Sequence, residues 1–306
     1  MSESTFDNSM KYRGRFAPSP TGPLHFGSLV CAVASYLQAK SKRGEWLVRM
    51  EDLDPPRQPE GADDDILRTL ESYALFWDRE VVYQRHRSEA YEDYLLRLEK
   101  RHLTYPCTCS RKQIRESTHP ASPPVYPETC RGRPFTVKSP HAIRLQTEFQ
   151  DISFHDGIQG EYSQNIRKDV GDFILKRTDG YYAYQLAVVI DDAEQNISEI
   201  VRGSDLLDNT PRQIYLQQHL GFSQPQYVHV PIATINGEKM SKQTHAPAVS
   251  KEEPLTTAVQ ILHFLGQAIP ENWQWASIDE LWQWAIPRWD IAAIPKVLFR
   301  EYATHF

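Results

Sequence analysis

RFAPSPTGPLHFGS, residues 15–28, is the stretch from which the rest of the chain is read. An arginine heads it, Pro18, Pro20 and Pro23 stiffen it, and His25 and Gly27 stand where a helix begins. A short strand is predicted just before, over 12–17. Leu29, Val30, Val33, Tyr36 and Leu37 then recur at helical spacing, and Gly44 ends that element. In a doubly wound sheet, ligands bind at the carboxyl ends of the strands, where helix N-termini point outward. Such an N-terminus offers free N–H groups and partial positive charge, so it favours phosphate. Gly27 would allow close backbone approach, His25 can donate to a phosphate oxygen, and Arg15 can clamp a carboxylate bidentately. These residue types alone also describe a Pro-Gly loop that simply enters a helix, because a glycine-poor loop is a weak phosphate signal.

The elements further along support the first reading. WLVRM (46–50) is an apolar-rich strand suited to burial on both faces, and it stops at Glu51-Asp52-Leu53-Asp54-Pro55-Pro56. A helix over 61–76 opens on Asp63, Asp64 and Asp65, which suit a helix N-terminus. A strand at 81–83 and a helix at 88–102 follow. This order predicts an α/β fold with a parallel sheet. The rhythm breaks over 104–140, rich in Pro, Ser, Thr and Cys. Beyond it come strand-like runs at 142–145, 152–154 and 173–176 with Asp156-Gly157 and Asp179-Gly180 as hairpin signals, so an antiparallel insertion is expected. The α/β alternation resumes at 184–190. Asn209-Thr210-Pro211 is expected to cap and start a helix that Gly221 closes, and 227–231 is strand-like. After Gly237 comes the polar loop Glu238-Lys239-Met240-Ser241-Lys242. Five of the seven tryptophans lie in 250–306, where a helix over 254–265 and a capping box at 277–280 predict a small helical appendage.

Composition narrows the class. The chain has 306 residues, 40% hydrophobic and 24% charged, as in an ordinary soluble protein of one large domain with insertions or of two domains. No apolar run approaches the ~20 residues of a membrane span. The acidic, polar start MSESTFDNSM is unlike a secretory or transit signal, so a disordered tail and a cytoplasmic location are expected. The net charge of −6 does not announce nucleic acid, and any RNA contact must rest on local basic clusters.

Lys239-Met240-Ser241-Lys242 is, alone, an ordinary basic loop. Two lysines on a loop can also neutralise charge on a transferring phosphoryl or nucleotidyl group. Taken with the first motif it becomes specific. Pro-x-Pro-Thr-Gly-x-Leu-His-x-Gly resembles the first signature of class I aminoacyl-tRNA synthetases, with His25-Phe26-Gly27-Ser28 for the usual His-Ile-Gly-His. Lys239-Met240-Ser241-Lys242-Gln243 resembles the second signature, with glutamine in its last place. Residues 15–22, 51–54, 184–192 and 200–206 resemble the glutamyl branch. The resemblance covers about 13–243. It implies a Rossmann-like catalytic domain in which Arg15, Ser19, Glu51, Tyr184 and Arg202 hold L-glutamate. The arginines would answer its carboxylates and Glu51 its ammonium group. It further implies that His25, Gly27, Lys239 and Lys242 bind ATP, His25 and Lys242 being catalytic, and that Mg²⁺ accompanies the nucleotide. No side chain need act as nucleophile.

Only residues 244–306 follow Gln243, too few for the large anticodon-binding region of a full glutamyl-tRNA synthetase. In this the chain is similar to the truncated paralogues of that branch, which activate glutamate without tRNA and transfer it to the queuosine base of tRNA(Asp). That acceptor comes from the resemblance alone. A compact enzyme charging a tRNA 3′ end and an inactive RNA-binding paralogue are the alternatives. A monomer is expected.

Cys107, Cys109 and Cys130 lie in one short segment, which in a cytosolic chain favours a metal over disulfides. Tetrahedral zinc needs a fourth ligand, and Tyr126, His119 and His102 are candidates, histidine being chemically the commoner. The resemblance favours Tyr126, since Tyr126-Pro127-Glu128-Thr129-Cys130 matches a Tyr-x-x-x-Cys pattern of the family. The site would be structural, pinning an insert with little core of its own. Arg111, Lys112, Arg115, Arg131 and Arg133 surround it and can meet RNA phosphate. Cys31 is expected in the core of the first helix. The resulting organisation is a tail (1–10), a first catalytic half (11–103), a zinc-containing α+β insert (104–183), a second catalytic half (184–249) and the helical appendage (250–306).

Overall fold

A computed structural model describes residues 11–116, 125–134, 140–240 and 247–302. Strand β1 (Arg13–Phe16) leads through the Pro-rich turn into helix α1 (Phe26–Ser41) and on to β2 (Glu45–Met50). Helix α2 (Ala62–Ser72), strand β3 (Val82–Tyr83) and helix α3 (Ser88–Lys100) follow. β1, β2 and β3 pair in parallel. Further along, the chain supplies helix α5 (Tyr184–Glu194), strand β9 (Glu199–Gly203), helix α6 (Thr210–Leu220) and strand β10 (Gln226–Val230), and β10 pairs with β9 in parallel. Ser198 N donates to Arg13 O at 2.9 Å, so β9 lies beside β1 and the strands run β3-β2-β1-β9-β10. The order reverses between β1 and β9, the switch point at which an open α/β sheet opens a crevice at its strand ends.

Helix α1 is nearly engulfed. Leu29, Val30, Ala32, Val33 and Leu37 are fully buried, and full burial of each larger side chain contributes about 1.5–3 kcal/mol. This explains the weakly amphipathic sequence of α1: sheet covers one side, and α7 (Pro254–Phe264) and α8 (Ile278–Ala285) the other. The tryptophan-rich C-terminal segment therefore shares one core with the sheet instead of standing off it. Trp282 is buried, and its indole N–H donates to Tyr73 O at 2.8 Å. The segment also carries a strand, β13 (Phe299–Glu301), which periodicity over three residues could not reveal.

The middle third divides in two. Strands β4 (Thr104–Cys107), β5 (Ala142–Leu145) and β8 (Ile174–Lys176) form an antiparallel sheet, with the short helix α4 (Arg111–Glu116) beyond β4. The hairpin of β6 (Asp151–Asp156) and β7 (Gly160–Asn165) instead adds to the catalytic sheet, β6 meeting β10 at Tyr227↔Asp156. Two local expectations change. Helix α2 stops at Ser72, and the chain turns through Ala74 (φ 50°) so that Asp78 accepts from Trp46 N at 2.8 Å. Asn209 does not cap α6 with its side chain, because its Oδ1 accepts from Gln185 at 2.5 Å. Gly221 ends α6 at φ 73°, in the left-handed conformation expected of it.

Candidate active site

Beyond the carboxyl ends of β1, β2 and β9 lies a cavity of about 300 Å³. Arg15, Ser19, His25, Gly27, Glu51, Tyr184, Arg202 and Lys239 all line it, from elements up to 224 residues apart in sequence. Lys242 lies outside the described residues.

The residues expected to face the nucleotide gather at the start of α1. His25 is its N-cap: Nδ1 accepts from Ser28 N at 3.3 Å, and Nε2 meets Ser28 Oγ at 2.9 Å. In that tautomer Nε2 carries the proton. A Cβ on Gly27 would sit tight against the His25 ring at 3.3 Å and in ordinary contact with Met240 O at 3.6 Å, so the lysine segment reaches the helix start. The chain on the far side of the lysine signature returns to the same place, where Ala248 bridges His25 and Val249 N donates to Leu24 O at 3.0 Å. The Lys239 ammonium pairs with the Asp205 carboxylate. Cys31 lines the cavity as well, and burial pushes its thiol up to about 12, so it is a protonated wall and not a nucleophile.

The other side is a buried charge network. Arg49, on β2, is completely buried. Its Nη2 lies 2.8 Å from Asp192 Oδ1 and 3.5 Å from Glu51 Oε1, and its Nε is 3.7 Å from Asp191 Oδ2. Arg15 also holds Asp192, through Nε (3.0 Å) and Nη2 (3.4 Å). Burial pushes the Asp192 carboxyl upward, but the two guanidiniums hold it below the usual carboxylate range. Arg15 is thus braced by the protein along one edge, and only its Nη1 side is left by Asp192 for a ligand. Glu51 differs: burial pushes it up to about 7 against the pull of Arg49 and Arg15, and Oε1 has no hydrogen-bond donor. A buried acceptor without a donor is costly, and an ammonium group would satisfy it.

Arg202 is aimed by Tyr184, expected beside it, and by His229 and Thr210, neither of which was expected in the site. Its Nε donates to His229 Nε2 at 3.0 Å, its Nη2 to Thr210 Oγ1 at 2.8 Å, and its Nη1 lies 3.5 Å from Tyr184 Oη. His229 Nδ1 in turn meets Asp156 Oδ2 at 2.6 Å. The imidazole is neutral in this chain, donating from Nδ1 and accepting at Nε2, and burial pushes it down to about 4. Sequence reading missed Arg49, Asp191, Asp192, His229 and Asp156. The signals were Arg49, a charge inside an apolar strand, and Asp191-Asp192 at the end of the 184–192 stretch; His229 and Asp156 are ordinary polar residues until folding joins them.

The cysteine segment lies apart from this cavity. The Sγ atoms of Cys107, Cys109 and Cys130 fall within 4.8 Å of one another. The buried Tyr126 Oη lies 3.3 Å from Cys107 Sγ and 3.5 Å from Cys109 Sγ, and it accepts from Cys130 N at 3.0 Å. Three soft sulfurs and one oxygen converging on a point fit a four-coordinate zinc ion. The Arg144 guanidinium sits 3.8 Å from the Tyr126 ring centroid, which suits a phenol asked to carry negative charge. His102 is not in the cluster, and His119 lies outside the described residues. Arg131 is committed internally, to Thr147 O at 2.9 Å and Asp172 Oδ1 at 3.2 Å, and so is removed from the expected RNA-facing set. Arg111, Lys112, Arg115 and Arg133 remain exposed.

The pattern of class I tRNA synthetases for E and Q, catalytic domain, matches residues 11–259. The glutamyl-Q tRNA(Asp) synthetase of Dechloromonas aromatica is 51% identical over 297 residues, covering 93% of this chain and 98% of that one. The chain belongs to the glutamyl-Q tRNA(Asp) synthetase family of class I synthetases. A second member, from Pseudomonas fluorescens, is 48% identical over 295 residues, covering 96% of this chain and 97% of its own. A glutamate-tRNA synthetase structure from Elizabethkingia anophelis superposes with a TM-score of 0.78 at 24% identity, covering 96% of this chain and 68% of that one. That likeness places the glutamyl-Q tRNA(Asp) synthetase family on the class I synthetase fold. No helix among the described residues is long and apolar enough to cross a membrane.

Proposed function

We propose that the chain is an ATP-dependent glutamate ligase that makes glutamyl-adenylate without tRNA and passes the glutamyl group to the queuosine of tRNA(Asp). One observation carries the reading: a single cavity unites the glutamate set (Arg15, Ser19, Glu51, Tyr184, Arg202) with the nucleotide set (His25, Gly27, Lys239). Glu51, whose Oε1 accepts no hydrogen bond and meets only the Arg49 guanidinium at 3.5 Å, takes the substrate ammonium; Arg15 and Arg202 take its carboxylates, with Ser19 and Tyr184 beside them. An α-carboxylate oxygen attacks the α-phosphorus of ATP, forming the P–O bond of the adenylate as pyrophosphate leaves. His25, Lys239 and Lys242 answer the phosphate charge, and Mg²⁺ arriving with ATP would supply further neutralisation of the pyrophosphate. A hydroxyl of the queuosine cyclopentenediol then attacks the glutamyl carbonyl. The ester forms, AMP leaves, and the hydroxyl proton goes to solvent. No protein nucleophile enters either step.

We also propose the division into catalytic halves 11–103 and 184–249, an insert over 104–183 and a C-terminal unit over 250–306, in a cytoplasmic monomer. Cys107, Cys109, Cys130 and Tyr126 would hold one structural zinc ion. The closeness of these ligands supports that, as does the small local core of Tyr105, Cys107 and Tyr126. The deciding assay is transfer of labelled glutamate to tRNA(Asp) with and without queuosine. Label is expected on the queuosine-bearing tRNA only; equal labelling of both would overturn the acceptor and favour charging at the 3′ end.

A further inference from the structure

The C-terminal strand touches both nucleotide-side signatures. Strand β11 (Ile232–Ile235) and strand β12 (Glu238–Lys239) form a hairpin in which Thr234 lies directly across from Lys239. Asn236 (φ 52°) and Gly237 (φ 77°) make its turn. On the opposite edge of β11, β13 pairs in parallel, Thr234↔Glu301. The Glu301 carboxylate accepts from Thr234 Oγ1 at 2.6 Å, from Gly237 N at 3.3 Å and from Asn236 N. One carboxylate therefore holds the residue facing Lys239 and both amides of the turn. The neighbouring backbone completes the clamp: Ile232 N donates to Leu298 O at 2.9 Å, and Tyr302 N to Thr234 O at 2.8 Å. The Tyr302 ring then stacks on Phe26, the residue between His25 and Gly27, with centroids 4.0 Å apart. So residues 298–302 bridge the hairpin that carries Lys239 and the helix start that carries His25.

Stability gives little reason for this arrangement. Glu301 is exposed, and a surface carboxylate on a turn contributes little to the global fold. Its position suits something narrower. The turn residues Asn236 and Gly237 lead through Glu238 into Lys239, so any shift of the turn moves Lys239 with it. The hydrogen bonds from Thr234 and the turn amides hold Glu301 below the usual carboxylate range, so it is anionic at working pH and keeps its grip.

We infer that Glu301 is a positioning residue for the lysine signature, fixing the β11–β12 hairpin so that Lys239 meets ATP in register with the His25 helix start. This rests on the reading of Lys239 as an ATP-binding residue. The test is glutamate-dependent pyrophosphate exchange in the full chain, with ATP and glutamate varied separately. Glu301→Gln keeps the shape but turns an N–H₂ toward one of its donors, and Glu301→Ala removes the acceptor. A misplacement of about 1 Å remote from the chemistry can cost up to ~100-fold, so kcat/KM for ATP should fall about tenfold in the glutamine variant and further in the alanine variant. The KM for glutamate should stay within about twofold and Tm within about 2 °C, a split that a merely structural role would not produce. An alanine variant with ATP kinetics within about twofold of the parent overturns the inference. So does one in which both KM values rise together as Tm falls. Lys239→Ala separates the two levels. If it leaves exchange intact, the lysine signature has been misread and Glu301 has nothing to position. If it cripples exchange while Glu301→Ala does not, only the role of Glu301 falls.

Discussion

The catalytic cleft and the cysteine insert both gather polar side chains from distant parts of the chain, but they are held in opposite ways. In the cleft, Arg49, Asp191, Asp192 and Arg15 are buried and neutralise one another inside a large core that exists without them. Around the cysteines of the insert, the local core among the described residues is three buried side chains, Tyr105, Cys107 and Tyr126, and two of those are the proposed zinc ligands themselves. The cleft can therefore be expected to survive loss of its ligands. The cysteine segment should not keep its packing on loss of the proposed metal. A large core permits polar groups to be arranged for chemistry, whereas a small one leaves its polar groups to supply the stability.

The comparison breaks most sharply at Arg49. Arg49→Met should destabilise the protein by about 3–5 kcal/mol, since Asp191 and Asp192 stay buried with one guanidinium fewer. Denaturant unfolding measures it, and a loss below about 1 kcal/mol would mean that the network is solvated.

Acid should strain the cleft next. The His229 pKa is pushed down to about 4 by burial, while an unfolded histidine titrates near its ordinary value, about 6.5. Between those values the unfolded chain binds more protons than the native one, so stability rises with pH through that window. It is lost as pH falls from about 6.5 toward 4, by up to about 3 kcal/mol. Asp156, held low despite its burial by the hydrogen bond to His229, adds a loss of the same sign at lower pH. His229→Gln should flatten the pH dependence of unfolding in that window. An unchanged slope would place the titration elsewhere.

Glu51 sharpens the functional half of the contrast. Its carboxyl is pushed up to about 7, so glutamate binding should strengthen as pH rises through 7 and Glu51 ionises. Glu51→Gln should cost about 2 kcal/mol, some thirtyfold in kcat/KM for glutamate, with KM for ATP little changed. It should also remove that limb of the pH profile. Equal loss for both substrates would show a damaged fold instead of a missing ammonium partner.

The smallest effect on activation belongs to the insert. Cys107→Ser should abolish bound zinc by elemental analysis while pyrophosphate exchange stays within about threefold, because the cysteine cluster lies outside the cavity. Glutamyl transfer to tRNA should suffer far more. Unchanged zinc would remove the site, and abolished exchange would show that the insert and the cleft are one unit.

Much of this was legible before folding. The strand–turn–helix of residues 12–41, the paired signatures at 25–28 and 239–242, and the spacing of the cysteines all read from local pattern, because each is a short run whose chemistry lies in its own residues. Apolar runs and the start and stop residues of helices also gave β2, α3, α6 and α7 to within a few residues. Less visible was how single polar residues combine. Nothing near His229 in sequence says that it will stand between Asp156 and Arg202, 73 and 27 positions away. The C-terminal segment read as an appendage because its helices carry their own caps and periodicity. Only contact with α1 makes it part of the central core, and a three-residue strand such as β13 has no period to detect.

The sequence by itself determined the family and its fold class and named the residues proposed for nucleotide, glutamate and metal, since a motif keeps its chemistry wherever the chain places it. Tertiary structure alone decided which charges are buried, which arginine edges remain for a substrate, and that the last ordered strand grips the lysine hairpin. Those are properties of desolvation and distance. They exist only once β1, β2, β9 and β13 have brought remote side chains within reach of one another and out of water.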